Sequence, residues 1–309
     1  MGNILNLGSL CIDYVYSVPA ISGSGETIAS TDRAVFPGGK GLNQSIAAAR
    51  AGATVFHHGA TGPDGELLLA ALRDAGVDTG GVAVMDTPSG HAYIQVTPAG
   101  ENAIVIHGGA NRCIDAAMRS QAFSRVGGGD WVLLQNEIND VDAAMREAAA
   151  SGANVALNLA PPDARIDAYP YELLALLILN TAEARALAGE DEPRDALRAL
   201  AARYPNVTTV ITSGGDGLIW YDRRETADPF LSLGAHVIEP VDETAAGDSF
   251  VGYLLAGLAD GKALTDALQL ASAAGALACT VAGAAPSVPA PDTVMALSGS
   301  ADLPVTPWR

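Results

Sequence analysis

The stretch Asp242-Glu243-Thr244-Ala245-Ala246-Gly247-Asp248-Ser249-Phe250 sets small residues between acids. It runs into a helical pattern carried by Phe250, Val251, Tyr253, Leu254, Leu255 and Leu258. Ala245, Ala246 and Gly247 pack tightly and leave N–H groups accessible at the start of that helix, where anions bind. A carboxylate at such a place repels any phosphate bound there, a conflict resolved if the carboxylate takes part in chemistry. Asp248 is therefore read as a group that takes a proton from a substrate hydroxyl while the N–H groups hold a phosphate. An ordinary helix cap is the competing reading, since Asp and Ser are both common there.

A second constellation is Pro37-Gly38-Gly39-Lys40-Gly41-Leu42-Asn43-Gln44. Its glycines let a ligand approach the backbone closely. Of 17 basic residues only Lys40 and Lys262 are lysines, so a lysine beside glycines points to a need for a compact ammonium. The Walker A spacing is absent, and a plain turn before a helix is the alternative. Asn180 and Glu183 stand where an apolar strand gives way to a helix, a place to meet a nucleotide phosphate or Mg²⁺, or simply a cap. Thr212-Ser213-Gly214-Gly215-Asp216-Gly217 follows another strand and reads either as a nucleotide cradle or as a hairpin turn into Leu218–Tyr221. His57 and His58 have no Cys or acidic neighbour at metal spacing and read as structural. No Gly-x-Ser-x-Gly elbow supports a hydrolase, and Gly8-Ser9-Leu10-Cys11 is not a dinucleotide turn.

These residues need a frame, and the apolar runs supply one. Ile4–Gly8, Thr54–Gly59, Trp131–Gln135, Val155–Leu159, Leu177–Asn180 and Thr208–Thr212 read as buried strands. Gln44–Ala51, Glu66–Ala75, Val141–Ala150, Ala182–Ala188 and Arg194–Arg203 read as the helices between them. The alternation predicts an α/β fold: a doubly wound, mainly parallel sheet flanked by helices, with ligands at the carboxyl ends of its strands. Cys11–Phe36 and His91–His107 break the alternation with strand-like patterning; the second reads as a β-hairpin, and together they predict a small inserted antiparallel lid. The Pro-rich segment from Ala284 to the end is expected to wrap the surface.

Composition narrows the function classes. With 309 residues, 49% hydrophobic and 17% charged, the chain can build a sizeable core, as one large α/β domain or two smaller ones. No run of about 18 apolar residues predicts a membrane span. Three scattered cysteines, Cys11, Cys113 and Cys279, fit a reducing cytoplasm without a disulfide framework. A net charge of −18 argues against nucleic-acid or anionic-membrane partners. It also makes phosphate binding a local matter, because Lys262 is the only Lys or Arg between Glu225 and Trp308.

In this order the pieces resemble the ribokinase-like (PfkB-type) family of sugar and nucleoside kinases, with the ribose kinases the nearest likeness. The resemblance spans residues 1–309 as a single domain, with the lid at about 11–36 and 91–107. It rests on Gly8-Ser9…Asp13, Gly25-Glu26-Thr27, Gly38-Gly39-Lys40-Gly41…Asn43-Gln44, Gly100-Glu101-Asn102, Gly109-Ala110-Asn111, Asn180…Glu183, Asp242 to Asp248, and Gly283…Pro286-Ser287-Val288-Pro289. It implies ATP-dependent phosphorylation of a primary hydroxyl of a small sugar, ribose at O5 first, with another sugar or a nucleoside as the alternative and a non-catalytic binding protein as the different-class alternative.

The family implies Asp248 as base, with the N–H groups of Ala245, Ala246 and Gly247 as the anion hole. It implies sugar contacts from the position of Cys11, Asp13, Gly39, Lys40, Asn43 and Glu137. It implies ATP contacts from Asn180, Thr212, Ser213, Gly214, Gly215, Gly217 and Ser272, and Glu183 organising Mg²⁺ through water. A monovalent cation, K⁺, is implied at Asp242, Thr244, Ala278, Val281, Gly283 and Ser287, and a homodimer through the lid. There are departures: Cys11 stands where ribose kinases place Asn against the sugar, Ser272 where relatives have Asn or His, and Glu243 and Ala245 where Thr and Gly are commoner.

Overall fold

A computed structural model describes residues 2–225, 228–300 and 303–308. In chain order the strands are β1 (Ile4–Leu7), β2 (Cys11–Ser17), β3 (Asp32–Gly38), β4 (Val55–Thr61), β5 (Asp78–Val84), β6 (Gly90–Val96) and β7 (Asn102–His107). They continue as β8 (Trp131–Gln135), β9 (Asn154–Asn158), β10 (Leu176–Asn180), β11 (Thr208–Thr212), β12 (Leu218–Tyr221), β13 (Phe230–Leu233) and β14 (Thr306–Pro307). The helices are α1 (Lys40–Arg50), α2 (Glu66–Asp74), α3 (Ala116–Phe123), α4 (Val141–Ala150) and α5 (Thr181–Ala188). They end with α6 (Pro193–Arg203), α7 (Ala246–Ala259), α8 (Leu264–Ala278) and α9 (Pro291–Ser300).

The main sheet has the order β14-β13-β12-β11-β10-β9-β8-β1-β4-β5, with every pair from β11 through to β5 parallel. Its central strands, such as Trp-Val-Leu-Leu-Gln in β8, are apolar almost throughout because helices cover both faces. One layer packs α1, α7 and α8 in the core that holds Leu42, Leu254 and Leu268; the other gathers Val141, Leu197 and Leu200 from α4 and α6. From β1 the chain winds one way to β4 and β5, then returns to the other side at β8. The gap between the carboxyl ends of β1 and β8 is therefore the switch point, where ligands bind in such sheets.

The lid is a separate four-stranded sheet, β3-β2-β6-β7. The hairpin read at His91–His107 is β6 and β7, paired antiparallel. The lid is not wholly antiparallel as expected, for β2 and β6 run parallel. The chain leaves β2 by β3 and comes back to it only after α1, β4, α2 and β5, a crossover that brings β6 in with the same direction. Tyr14 stacks on Tyr93 with centroids 5.3 Å apart, and the Arg33 guanidinium lies 5.2 Å from the Tyr14 centroid.

Other differences have local causes. α1 begins at Lys40 rather than Gln44, because Gly39, at φ 93°, caps it directly and the glycine-rich box is already helical. The last segment is not a surface wrap alone: it contributes α9 and the edge strand β14, paired with β13.

The crossing of α1 and α7 fixes the site. A Cβ on Gly252 would lie 2.4 Å from the Ala47 Cβ and 2.7 Å from the Ala48 nitrogen. Only glycine over paired alanines allows so close an approach. One turn earlier on each helix stand Asp248 and the pair Asn43 and Gln44, which the same crossing brings together.

Candidate active site

At the switch point the loop after β1 and the loop after β8 meet. The Ser9 hydroxyl donates to Glu137, which also accepts from the Lys40 backbone N–H at 3.0 Å. The Gly41 N–H donates to Ser9 Oγ at 3.1 Å. A Cβ on Gly41 would lie 2.4 Å from the Ser9 nitrogen, so the start of α1 sits against this loop only because it has no side chain there. Cys11 and Asp13 enter from β2 of the lid. A Cβ on Gly38 would strike the Asp13 carboxylate, which shows how tightly β3 covers that group.

Asp248, in the first turn of α7, is buried with 8% exposure. Asn43 Nδ2 donates to its Oδ2 at 2.9 Å and Gln44 Nε2 to its Oδ1 at 2.8 Å. The Asn43 Oδ1 beside it is buried and has no hydrogen-bond partner among the described residues. Such an acceptor fits a hydroxyl brought in by a ligand. At the start of α7, Ala245 adopts φ 60° and ψ 10°, a left-handed conformation that costs an alanine roughly 1–2 kcal/mol. Ala246 N–H turns back to the Glu243 carbonyl at 3.2 Å. Among the described residues no acceptor meets the N–H of Ala245 or Gly247. Of the three expected anion-hole donors, two therefore point free and one is held in a turn.

Three carboxyl groups act on the Lys40 ammonium, and Asp13 lies near two of them. Burial works to lower the Lys40 pKa, but Asp248, Glu137 and Glu183 outweigh it and hold the group above the usual lysine value. Burial pushes the Asp13 carboxyl up to about 6; the Cys11 thiol, donating to it, works the other way, and the charges of Glu137 and Asp248 add to the rise. Burial and the Asp13 charge push the Cys11 thiol well up, so it is a neutral donor. Glu183 also rises, by burial first, against the Asn180 N–H and Lys40.

Asn180 and Glu183 form a complete capping box at the end of β10. Asn180 Oδ1 accepts from the Glu183 N–H at 2.9 Å, while both Glu183 oxygens accept from Asn180, Oε2 from its backbone N–H and Oε1 from Nδ2, each at 2.8 Å. The two readings of this pair are thus compatible: the cap fixes a carboxylate facing Lys40. Thr212–Gly217 serves as the turn between the antiparallel β11 and β12, with Ser213 N–H closing on the Gly217 carbonyl at 2.8 Å. Gly214 and Gly215 have open space where a side chain would be, leaving that turn approachable. Ser272 lies part-buried in α8, the helix packed on α7.

The residues read as a cation seat also converge. Asp242 Oδ2 accepts from the Gly283 N–H at 2.8 Å, its Oδ1 from Thr244 N–H at 2.9 Å and hydroxyl at 2.6 Å. Those bonds outweigh burial and hold its pKa below the usual carboxylate range. Ser287 Oγ donates to the Ala284 carbonyl at 2.8 Å and lies 3.4 Å from the Thr244 carbonyl, and the Val281 N–H meets the Ala278 carbonyl at 3.3 Å. Oxygens from two loops are thus held side by side, a donor set that suits a weakly hydrated cation. Among the described residues no three His, Cys, Asp or Glu side chains form a metal cage.

Sequence reasoning gave no role to Ser9, Gln135, Asn158 or Asn6, all buried and all in this region. His57 and His58 are structural as read: burial pushes them down to about 3 and about 4, and His57 Nδ1 meets Ser45 Oγ at 2.8 Å.

The profile of the pfkB family carbohydrate kinases matches residues 1–291. The chain belongs to the pfkB family. Family membership makes it an ATP-dependent phosphotransferase acting on a carbohydrate. This kinase is 35% identical over 298 residues to the ribokinase of Bacillus subtilis (strain 168), covering 94% of this chain and 97% of that protein. It is similar to the crystal structure of ribokinase from Cryptococcus neoformans var. grubii serotype A in complex with ADP, with a TM-score of 0.81, 32% identity and coverage of 96% of this chain and 99% of that one. It is also similar to Arabidopsis thaliana ribokinase complexed with ribose and ATP, with a TM-score of 0.84, 26% identity and coverage of 96% and 99%. The ten-stranded, mainly parallel sheet with its separate lid is the ribokinase-like fold.

Proposed function

We propose that this kinase transfers the γ-phosphoryl group of ATP to the primary hydroxyl of a small sugar, ribose at O5 first. The observation that carries the reading is the Asp248 carboxylate, gripped by Asn43 and Gln44 at the start of α7 and facing Lys40 beside the lid residue Asp13. Asp248 takes the proton of the acceptor hydroxyl. The open N–H groups of Ala245 and Gly247 are aimed at the transferred phosphoryl group, and Lys40 offsets its charge. Phosphoryl transfer asks for such positioning and charge stabilisation more than covalent chemistry. Asp13 and Glu137 accept from sugar hydroxyls, and the position of Cys11, Gly39 and Asn43 completes the pocket.

ATP fits along the carboxyl ends of β10 and β11, against Asn180, the Thr212–Gly217 turn and Ser272. Glu183, with both oxygens already accepting from Asn180, is suited to hold Mg²⁺ through water, and the ion would supply charge neutralisation for the phosphates. A monovalent cation fits the oxygens of Asp242, Thr244, Ala278, Val281, Gly283 and Ser287. The lid closes over the sugar and keeps water from the phosphate. The protein acts as a homodimer through the lid, in the cytoplasm. Exposed Val105 and Ile106 on β7 support the first point, and three unpaired cysteines the second.

A second reading for the acceptor, another sugar or a nucleoside, is favoured by Cys11, whose thiol already donates to Asp13. The decisive experiment is an ADP-release assay with ATP and Mg²⁺ over pentoses, hexoses and nucleosides. Turnover is expected with a pentose, ribose fastest; silence across the panel would sink the reading. Asp248→Asn should lower kcat by about 10²–10⁴-fold while acceptor still binds; near-normal turnover would remove Asp248 as the base.

A further inference from the structure

Behind Asp248 the buried side chains that join it are amides, and beyond them Asn6 Nδ2 also donates to Ser45 Oγ at 2.8 Å, which meets the neutral His57 ring. Gln44 donates through Nε2 both to Asp248 Oδ1 at 2.8 Å and to Asn158 Oδ1 at 2.9 Å. Its Oε1 accepts from Gln135 Nε2 at 2.8 Å. Gln135 Nε2 also donates to Asn6 Oδ1 at 3.0 Å, and Asn6 Nδ2 donates to the Gly41 carbonyl at 2.8 Å. Gln44, Gln135 and Asn6 are at most 1% exposed.

An amide can present either its oxygen or its NH₂ group to a neighbour, and the network decides which. Here the string ends on a backbone carbonyl, which can only accept. Gly41 therefore forces Asn6 to turn its NH₂ toward it and its oxygen toward Gln135. Gln135 must then spend its NH₂ group on Asn6 and Gln44, which obliges Gln44 to present oxygen to Gln135 and NH₂ to Asp248. The branch through Asn158 is anchored the same way, by Nδ2 donating to the Ile178 carbonyl at 3.3 Å. We propose that Asn6, Gln135 and Gln44 are positioning residues: a polarised amide string, fixed at the Gly41 carbonyl, that aims the Asp248 carboxylate and keeps it supplied with a donor.

The string is neutral, so it orients and does not carry protons. The charged or titratable groups that face Asp248 come from elsewhere: Lys40 from α1, Asp13 from β2 and Glu183 from α5. The inference rests on the reading of Asp248 as base.

The informative variant is Gln135→Glu, which does not touch Asp248. A carboxylate there attracts the NH₂ of Gln44, turning its oxygen onto Asp248. Losing a donor to the charged form disfavours it. With ATP, Mg²⁺ and D-ribose, or the fastest acceptor of the panel, kcat at pH 7 should fall about tenfold or more, with both KM values within about threefold. The acid limb of the kcat–pH profile should move up by about one pH unit. Gln135→Met, similar in volume and without a dipole to orient, should move both readouts the same way by less, and decides the matter if the Glu variant does not fold. An unmoved acid limb in a folded variant, or a rise of both KM values with the fall in kcat, would mean a merely structural role and overturn the proposal. Asp248→Asn in the same assay separates the two claims: if it turns over normally the base assignment has failed; if it is dead while Gln135→Met is wild-type, the amide string has failed.

Discussion

Asp13 carries two consequences at the residue scale. Its pKa of about 6 in the folded protein exceeds the ordinary value of 3.8. Between those values the native state holds a proton that the unfolded chain has released, so stability falls as pH rises from about 4 to about 6 and is level above. The ligand-free protein should show this in denaturant unfolding. Asp13→Asn should remove the fall and be more stable at pH 7.5, by up to roughly 2–3 kcal/mol, with no gain below pH 4. The same side chain must be ionised to accept fully from the sugar, so acceptor KM should rise as pH drops through about 6, and should be high and flat in the variant. A residue that costs stability where it is charged and earns affinity there is what a ligand contact looks like.

At the scale of elements, the site depends on the angle and closeness of two helices. Gly252→Ala should force α7 away from α1, costing about 1–3 kcal/mol. Because Asp248 lies one turn away, kcat should fall by up to about a hundredfold, out of proportion to the stability change. Gly299, with open space around it, should accept alanine with neither effect; melting curves and steady-state rates check both. This dependence explains what could be read from the chain. Strands such as Trp131–Gln135 and helices such as Val141–Ala150 were legible to the residue because their periodicity is local. The run from Asp242 to Asp248 and the glycine-rich box were legible because both carry unusual residue types at fixed spacing. Gln135, Asn6 and Asn158 were not, since a single polar residue in a buried strand gives no signal until the strand beside it is known. The parallel pairing of β2 with β6 was hidden for the same reason: it joins segments separated by five other elements.

At the scale of the whole molecule, the net charge of −18 is the governing fact. Bringing polyanionic ATP to such a protein needs local positive charge, and the converging oxygens near Asp242 offer a place for it. Potassium at constant ionic strength should therefore raise kcat several-fold over choline; an indifferent enzyme would argue against a functional cation there. The lid adds an assembly prediction. Ile104, Val105 and Ile106 are 52%, 68% and 64% exposed on one edge strand. Light scattering should give twice the chain mass, and Ile106→Glu should return it to the mass of one chain.

The lid has one more consequence. Tyr14, Tyr16 and Tyr93 are clustered on it, with stacked rings, whereas Trp131, Trp220 and Trp308 all belong to the ten-stranded sheet or its edge. All three tryptophans thus lie outside the lid, while three of the eight tyrosines are stacked on it and the other five, Tyr221 of β12 among them, belong to the body. Tryptophan emission therefore reads the body alone, and the part of the near-ultraviolet tyrosine band that a Tyr93→Phe variant loses reads the lid, so closure over a sugar is observable without a label.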